Sequence, residues 1–551
     1  MTLGALVDRY LVLHARFRPV DATFMGLDGD GQNSQLPPVG EDAMRQEQTE
    51  LEALLAEAEA FTGKPEGPGE RENAGERLDL FLLRSQLRVT VRELQERPRQ
   101  HNPAWYTGEA AFGIVGLLLP NERPTDEAAV LARLEQIPGF LAAGTATLKG
   151  LNFPADWVER ARREAEALTA LLLRGLPQHP DWQEAWQGAA TDAAKAVQAF
   201  SAALKPGTAD PASGTDYLEF LMREAHALPF SAVEAERLAE AGFEKLRSEL
   251  ETMARQLDIS KNWREQLSDL EHQHPALNDV QATYETWNDR ALDAAASLVT
   301  PASDYGLSFE YLPAWAREAA GALYFLFYRS PPAVHPGNGS VYWIFPPGTD
   351  QAAYLRSQNT PFIKAVHAVH HGSVGHHTQN ARARQADSRL ARVSATDCAS
   401  GIAFLSAGTL VEGWACYAED LLLEHPGFYT PQEELLLKQF EMRNAACCLA
   451  DIRLHSGKWT LEEMRAFYRD EVGFAPGRVW AETTRNSIYP ATRLMYWLGT
   501  RIIRELRAEL NLSPTAFSTV AFHDHLLSYG GVPITLIAQD MRRRFAPQGV
   551  S

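Results

Sequence analysis

Cysteine is scarce in this chain: four residues in 551, Cys398, Cys416, Cys447 and Cys448. That is too few for a disulfide framework, and no C-x-x-C pair occurs. Cys447 and Cys448 are adjacent inside an apolar helical pattern, so buried free thiols are expected. Positive charge is also in short supply. Against 71 Asp and Glu stand 52 Lys and Arg, a formal net charge of −19. Nucleic acid selects basic faces, so no nucleic-acid partner is expected. The same balance repels anionic membranes. No window approaches the ~20 apolar residues that span a bilayer, so no membrane partner is expected either. The N-terminal stretch MTLGALVDRYLVLHARFRP is broken by Asp8, Arg9, His14 and Arg16 and lacks the apolar run of a leader. A cytoplasmic protein is the resulting expectation. There is no internal repeat and no long low-complexity tract. No G-x-S-x-G elbow is present, so a serine mechanism has no motif behind it.

Apolar residues are plentiful: 45% of the chain is hydrophobic, enough for a large core. The spacing predicts helices over Leu3–Phe17, Asp42–Phe61, Arg77–Glu96, Pro120–Gly150, Asp156–Leu173, Ala232–Leu257 and Asn278–Leu298. Gly and Pro mark surface loops at Thr62–Glu76 and Lys205–Asp216. The second loop divides the chain into residues 1–212, an N-terminal helical region, and 213–551, or joins two helices of one continuous domain. Near Pro301 the texture changes. Tyr305–Leu312, Ala322–Tyr328 and Ser340–Phe345 are short, aromatic and flanked by turn residues, which reads as strands. Helical patterns return over Gln351–Arg356 and Pro361–Ala381 and run to the C-terminus. The predicted fold is mainly α: a large helical body with a small β-sheet beside a His-rich helix.

That His-rich stretch, AVHAVHHGSVGHHTQNA, holds five of the 16 histidines: His367, His370, His371, His376 and His377. Imidazole is the commonest zinc ligand and titrates near neutral pH. Two ligand pairings are open. His367 and His371 are four apart and would share a helix face. His370 and His376 are six apart, which works only if Gly372 and Gly375 let the backbone leave the helix. A further ligand is sought in LVEGWACYAEDL, where Glu412 and Glu419 are seven apart on one helical face. Gly413, next to Glu412, would permit close approach of another backbone. A metal held there would make a water acidic near pH 7 and polarise a carbonyl.

Four motifs in order carry a family resemblance. HHGSVGHHTQ resembles the H-E-x-x-P-G-H-H-x-Q signature of the bacterial domain-of-unknown-function 885 family. VEGWACYAE is similar to its E-G-W-A-x-Y-A-E segment. RNSIYPATRLMYWLG is similar to its R-x-x-x-x-P-G-Q-x-x-x-Y-x-x-G segment, keeping Arg485, Pro490, Tyr496 and Gly499. FHDHLLSYGGVPI resembles its closing F-H-D-x-L-L-x-x-G-x-x-P-L. The family in turn resembles gluzincin-type helical zinc metallopeptidases. The resemblance implies a zinc-dependent hydrolase of short peptides, with one zinc per chain on His370, His376 and Glu412.

The chain departs from the pattern where chemistry is at stake. His371 stands where the family has the glutamate that acts as general base. His371 itself, or Glu419 from the other helix, would then take that role, or the protein is a silent metal- or peptide-binding relative. A hydrolase of non-peptide esters or amides is a further reading. Val374 replaces the family's proline, and Ala491 and Thr492 replace Gly and Gln. Tyr489, Tyr496 and His523 are candidate donors to a developing oxyanion, with Asp524 a possible orienter of His523. Arg485 and Arg493 are candidate clamps for a peptide's terminal carboxylate.

Overall fold

A computed structural model of the chain describes residues 2–545 except 28, 63–69, 120–123, 303–304, 324–327, 335–336, 338, 399–400 and 511–516. Helices dominate, and their ends follow local chemistry. Ser231 with Glu234, and Thr430 with Glu433, form reciprocal capping boxes that start the helices Ala232–Leu257 and Pro431–His455. These two long helices pack against each other and carry much of the larger apolar core. Leu3, Leu6, Leu82 and Leu87 from the first hundred residues enter that same core beside Leu410, Trp414 and Leu498. A second core lies under Pro103–Leu118, Glu127–Leu148 and Ala155–Ala170 and reaches Trp315 and Cys398. Residues on both sides of position 212 therefore contribute to the first core. All four cysteines are buried and free, as expected.

The predicted helix Ala232–Leu257 matches residue for residue. The predicted loop Thr62–Glu76 does not: its centre lies outside the described residues, and the next helix already begins at Glu70. Three short strands form the expected small sheet, β1 (Gly306–Tyr311), β2 (Tyr328–Arg329) and β3 (Gly339–Ile344), in the order β1-β3-β2. β3 runs parallel to β1 and antiparallel to β2. Only the end of the predicted Ala322–Tyr328 strand is seen, since 324–327 lie outside the described residues. Tyr342 of β3 points its hydroxyl at His367, which seats the sheet directly against the histidine segment.

The site-bearing helix Gly408–Leu421 crosses Leu494–Glu509 at two glycines. A Cβ on Gly413 would stand 2.7 Å from the Gly499 carbonyl carbon, and one on Gly499 would run into the Thr409 carbonyl. The close approach expected at Gly413 is thus real. It sets Glu412 opposite the segment that carries Tyr496.

A candidate metal centre

The predicted helix Pro361–Ala381 is not continuous. Ile363–His370 is wound with the wider π-helical turn, and His371 N donates to Val366 O, five residues back, at 3.0 Å. The chain then leaves the helix and restarts at His376–Ala383. Gly372 and Gly375 make the break possible. A Cβ on the first would collide with the Ala368 carbonyl, and one on the second with the carbonyls of Val369 and His370. The break is fastened from outside: Trp414 Nε1 donates to Val374 O at 3.1 Å, and Ser373 N donates to Asn288 Oδ1 at 3.0 Å. Ligand orientation is thereby tied to the glutamate-bearing helix.

The break brings His370, His371 and His376 together, with one ring nitrogen from each inside a 4.8 Å group. Glu412 Oε2 lies 3.6 Å from His376 Nε2 and 4.0 Å from His370 Nε2. Ligand atoms of a tetrahedral zinc, each about 2.0–2.1 Å from the ion, stand roughly 3.3 Å apart. Glu412 therefore stands about 0.3 Å beyond that spacing from His376 and about 0.7 Å beyond it from His370, so His370, His376 and Glu412 would hold a divalent cation once drawn together by about that much. Behind it, His370 Nδ1 and Glu419 Oε1 are 2.7 Å apart. A carboxylate on the far nitrogen of a ligating imidazole fixes its tautomer and its direction. Glu419 is thus placed to orient the His370 ring.

The groups of the cluster titrate differently from one another. Burial and the neighbouring His376 hold His370 down to about 3. Burial, with His370 and His376 nearby, holds His371 well below the usual imidazole value. Burial opposes charge on His376, but the hydrogen bond and charge of Glu412 outweigh it and raise that imidazole. Burial likewise opposes charge on Glu412, yet His376, His370 and Arg485 bring it down to about 2. The Glu412 carboxylate is ionised at neutral pH and His370 keeps a free lone pair, whereas His376 must give up its proton for a metal to bind and Glu419, raised by burial to about 8, holds a proton at neutral pH. His371 Nδ1–H donates to Val366 O at 3.0 Å, which leaves its Nε2 as the acceptor facing the cluster.

The other histidines of the stretch are structural. His367 receives the Tyr342 hydroxyl and stacks on Tyr284, so the His367–His371 pairing gives way to His370–His376. His377 is held by Tyr305 O and by the Tyr328 hydroxyl at 3.3 Å. Three further expectations are corrected. His523 is fully buried on the far side of Trp414. Its Nδ1–H donates to Leu298 O at 2.7 Å and its Nε2 accepts from Tyr417 at 2.9 Å, so no donor is left for an oxyanion. Asp524 does not orient it, because that carboxylate accepts from Thr300 N and Oγ1. Arg493 is buried in an ion pair with Glu482 and cannot clamp a substrate.

Arg485 and Tyr496 stay in play. Each feels the other's charge and that of Glu412. Burial and Glu412 together raise the Tyr496 phenol to about 12, so it remains a proton donor at neutral pH. Arg485, Tyr489 and Thr492 line a cavity of about 440 Å³ whose far wall comes from the N-terminal half, including Arg97, Asn152 and Trp157. Sequence reasoning missed that wall, for no motif marks it.

Ala491, at the family's glycine position, has φ +62, in the left-handed region. It is held there because Asp451 accepts its amide at 3.3 Å and those of Arg493 and Leu494 at 2.8 and 3.2 Å, while His226 donates to its carbonyl at 2.8 Å. A side chain in this conformation costs about 1–2 kcal/mol, partly offset by the freedom glycine adds to the unfolded chain. Ala491→Gly is therefore expected to stabilise the protein by up to about 1 kcal/mol, read as a higher midpoint in urea with an unchanged slope.

A family model described as a bacterial protein of unknown function (DUF885) matches residues 19–541. No curated protein matches the chain. Two solved structures share its architecture. One is described as a "putative lipoprotein of unknown function" from Shewanella oneidensis, with 19% identity, a TM-score of 0.74, and coverage of 98% of this chain and 100% of that one. The other is described as a "putative lipoprotein" from Colwellia psychrerythraea, with 16% identity, a TM-score of 0.76, and coverage of 99% and 100%. At these identities the likeness is one of fold. Their description nevertheless overturns the cytoplasmic expectation, since lipoproteins are membrane-anchored or exported. That expectation had rested on the lack of a leader and of an apolar run. Among the described residues no helix is long and apolar enough to cross a membrane, but this alone does not locate a protein.

Proposed function

The chain belongs to the bacterial DUF885 family, and we propose that this member is a zinc-dependent hydrolase of peptide bonds acting on short peptides. The observation that carries the proposal is the convergence of His370 Nε2, His376 Nε2 and Glu412 Oε2, with Glu419 bonded behind His370. Two histidines from one broken helix and a glutamate from the next resemble the ligand set of gluzincin-type peptidases. A zinc ion on these three groups would supply Lewis-acid chemistry for a carbonyl and an acidic water.

The chain's own residues would do the rest. His371 Nε2, unprotonated and facing the cluster, takes the proton of the attacking water and returns it to the leaving amine. Tyr496 donates to the oxygen on which charge develops, its phenol kept polarised by Arg485. Arg485 and Tyr489 border a cavity of about 440 Å³ that His370, His371, His376, Glu412 and Tyr496 do not line; its volume is within the range of small-molecule sites, roughly 300–1,000 Å³, a size for short peptides.

The second reading, metal or peptide binding without turnover, is favoured by one observation: His371 occupies the place of the family's carboxylate base. Incubating chelated and zinc-loaded protein with a short-peptide library, read by mass spectrometry, separates the two. Zinc-dependent cleavage is expected. A protein that holds zinc and cleaves nothing would leave only the second reading.

A further inference from the structure

The cavity beside the site is lined by arginines in two different states. Arg18 and Arg99 on its wall are paired, with Glu93 at 2.7 Å and Glu47 at 2.6 Å respectively. Arg97 and Arg485 are not. Among the described residues, neither has a carboxylate within the 4.0 Å of an ion pair. Arg97 makes only long bonds to neutral acceptors: Nη1 to Pro211 O at 3.2 Å and Ala212 O at 3.4 Å, and Nη2 to Ser487 O at 3.4 Å. Ser487 lies two residues from Arg485 on the helix Pro476–Ile488, so Arg97 reaches from the N-terminal half to the backbone of the helix that carries Arg485, and both line the cavity. Arg485 lines the cavity and also feels the charge of Glu412. Withdrawing a cation from water without an anionic partner is costly. Burial lowers the Arg97 guanidinium's pKa, with Tyr217 and Asp210 offsetting part of it, whereas Tyr496 and Glu412 outweigh burial at Arg485 and raise it. An anionic ligand would offset the cost of burial, and a guanidinium fork matches the two oxygens of a carboxylate.

We propose that Arg97 and Arg485 form a subsite for the free C-terminal carboxylate of a short peptide, so that the enzyme selects substrates by that group. This deepens the peptidase reading, but binding at the subsite does not depend on turnover. The N-terminal half would thus contribute directly to recognition, a role no motif in it announces. Phosphate is the competing anion.

The test is calorimetric titration of the full chain, chelated and zinc-loaded, with Ala-Phe, with Ala-Phe amide and with inorganic phosphate. The acid is expected to bind at least about tenfold more tightly than the amide, as for hydrogen bonds to a charged group. The preference should hold in the chelated protein and collapse in Arg485→Gln and Arg97→Gln, while Arg485→Lys keeps part of it. Equal affinity of acid and amide for wild type would overturn the proposal, as would a preference that survives Arg485→Gln. Phosphate binding more tightly than the acid would overturn the assignment to peptide carboxylates. Arg97 also ties the 205–214 loop in place, so if Arg97→Gln does not fold, the wild-type comparison and Arg485→Gln still decide. The two readings fail separately. A preference for the acid with no cleavage would remove the hydrolase and keep the subsite. Cleavage of acid and amide at equal KM would remove the subsite and keep the hydrolase.

Discussion

His376→Ala and Glu412→Ala are each expected to purify without stoichiometric metal, whereas Glu419→Ala keeps metal but holds it about 10- to 100-fold more weakly. The grading follows from position. His376 and Glu412 present donor atoms 3.6 Å apart to a shared point, and removing either leaves too few ligands for a stable zinc site. Glu419 only orients His370 through Nδ1, at 2.7 Å, and losses of that size are typical when an outer carboxylate is removed. The same series is expected in thermal unfolding. Metal that binds only the native state adds about 2.7 kcal/mol when free metal is a hundred times Kd, so zinc should raise the wild-type midpoint and leave His376→Ala unmoved. Elemental analysis and thermal scans of the four proteins check both. Equal metal content in Glu412→Ala and Glu419→Ala would contradict the assignment of Glu412 as ligand.

The second large effect is expected at His371. His371→Ala should keep its metal and lose about 10²- to 10⁴-fold in turnover, the range usual for a general base. His371→Glu should retain or improve hydrolysis, since a carboxylate would then stand where the family has one. The structural basis is the tautomer: Nδ1–H is committed to Val366 O, and Nε2 keeps a lone pair beside His370 and His376. Loss of metal together with activity in His371→Ala would make His371 a fourth ligand. Full activity with metal retained would remove it from the mechanism. If wild type is silent and only His371→Glu cleaves, the protein is a silenced peptidase.

Much of this was legible locally. The 3.6-residue periodicity predicted the long helices, Ala232–Leu257 among them. Two glycines between histidines six residues apart signalled a broken helix, and a seven-residue spacing put Glu412 and Glu419 on one face. What failed was non-local. A wider helical turn over Ile363–His370 leaves no mark in composition. Whether an arginine or histidine is spoken for depends on partners far along the chain. His523 is consumed by Leu298 and Tyr417, whereas Arg97, among the described residues, has no ion-pair partner in a cavity that only the tertiary fold creates. Glu419 illustrates the boundary. Its face was readable, but its role followed only from which nitrogen of His370 it meets.

The most direct test of the metal centre is an anomalous difference map at the zinc edge, from crystals of protein grown without added metal. The account expects one peak, about 2.0–2.2 Å from His370 Nε2, His376 Nε2 and Glu412 Oε2. A map with no peak there after soaking in zinc would contradict it. So would a peak on the other side of His370, between Nδ1, Cys416 and Glu419, where those three also come within 4.8 Å of one another.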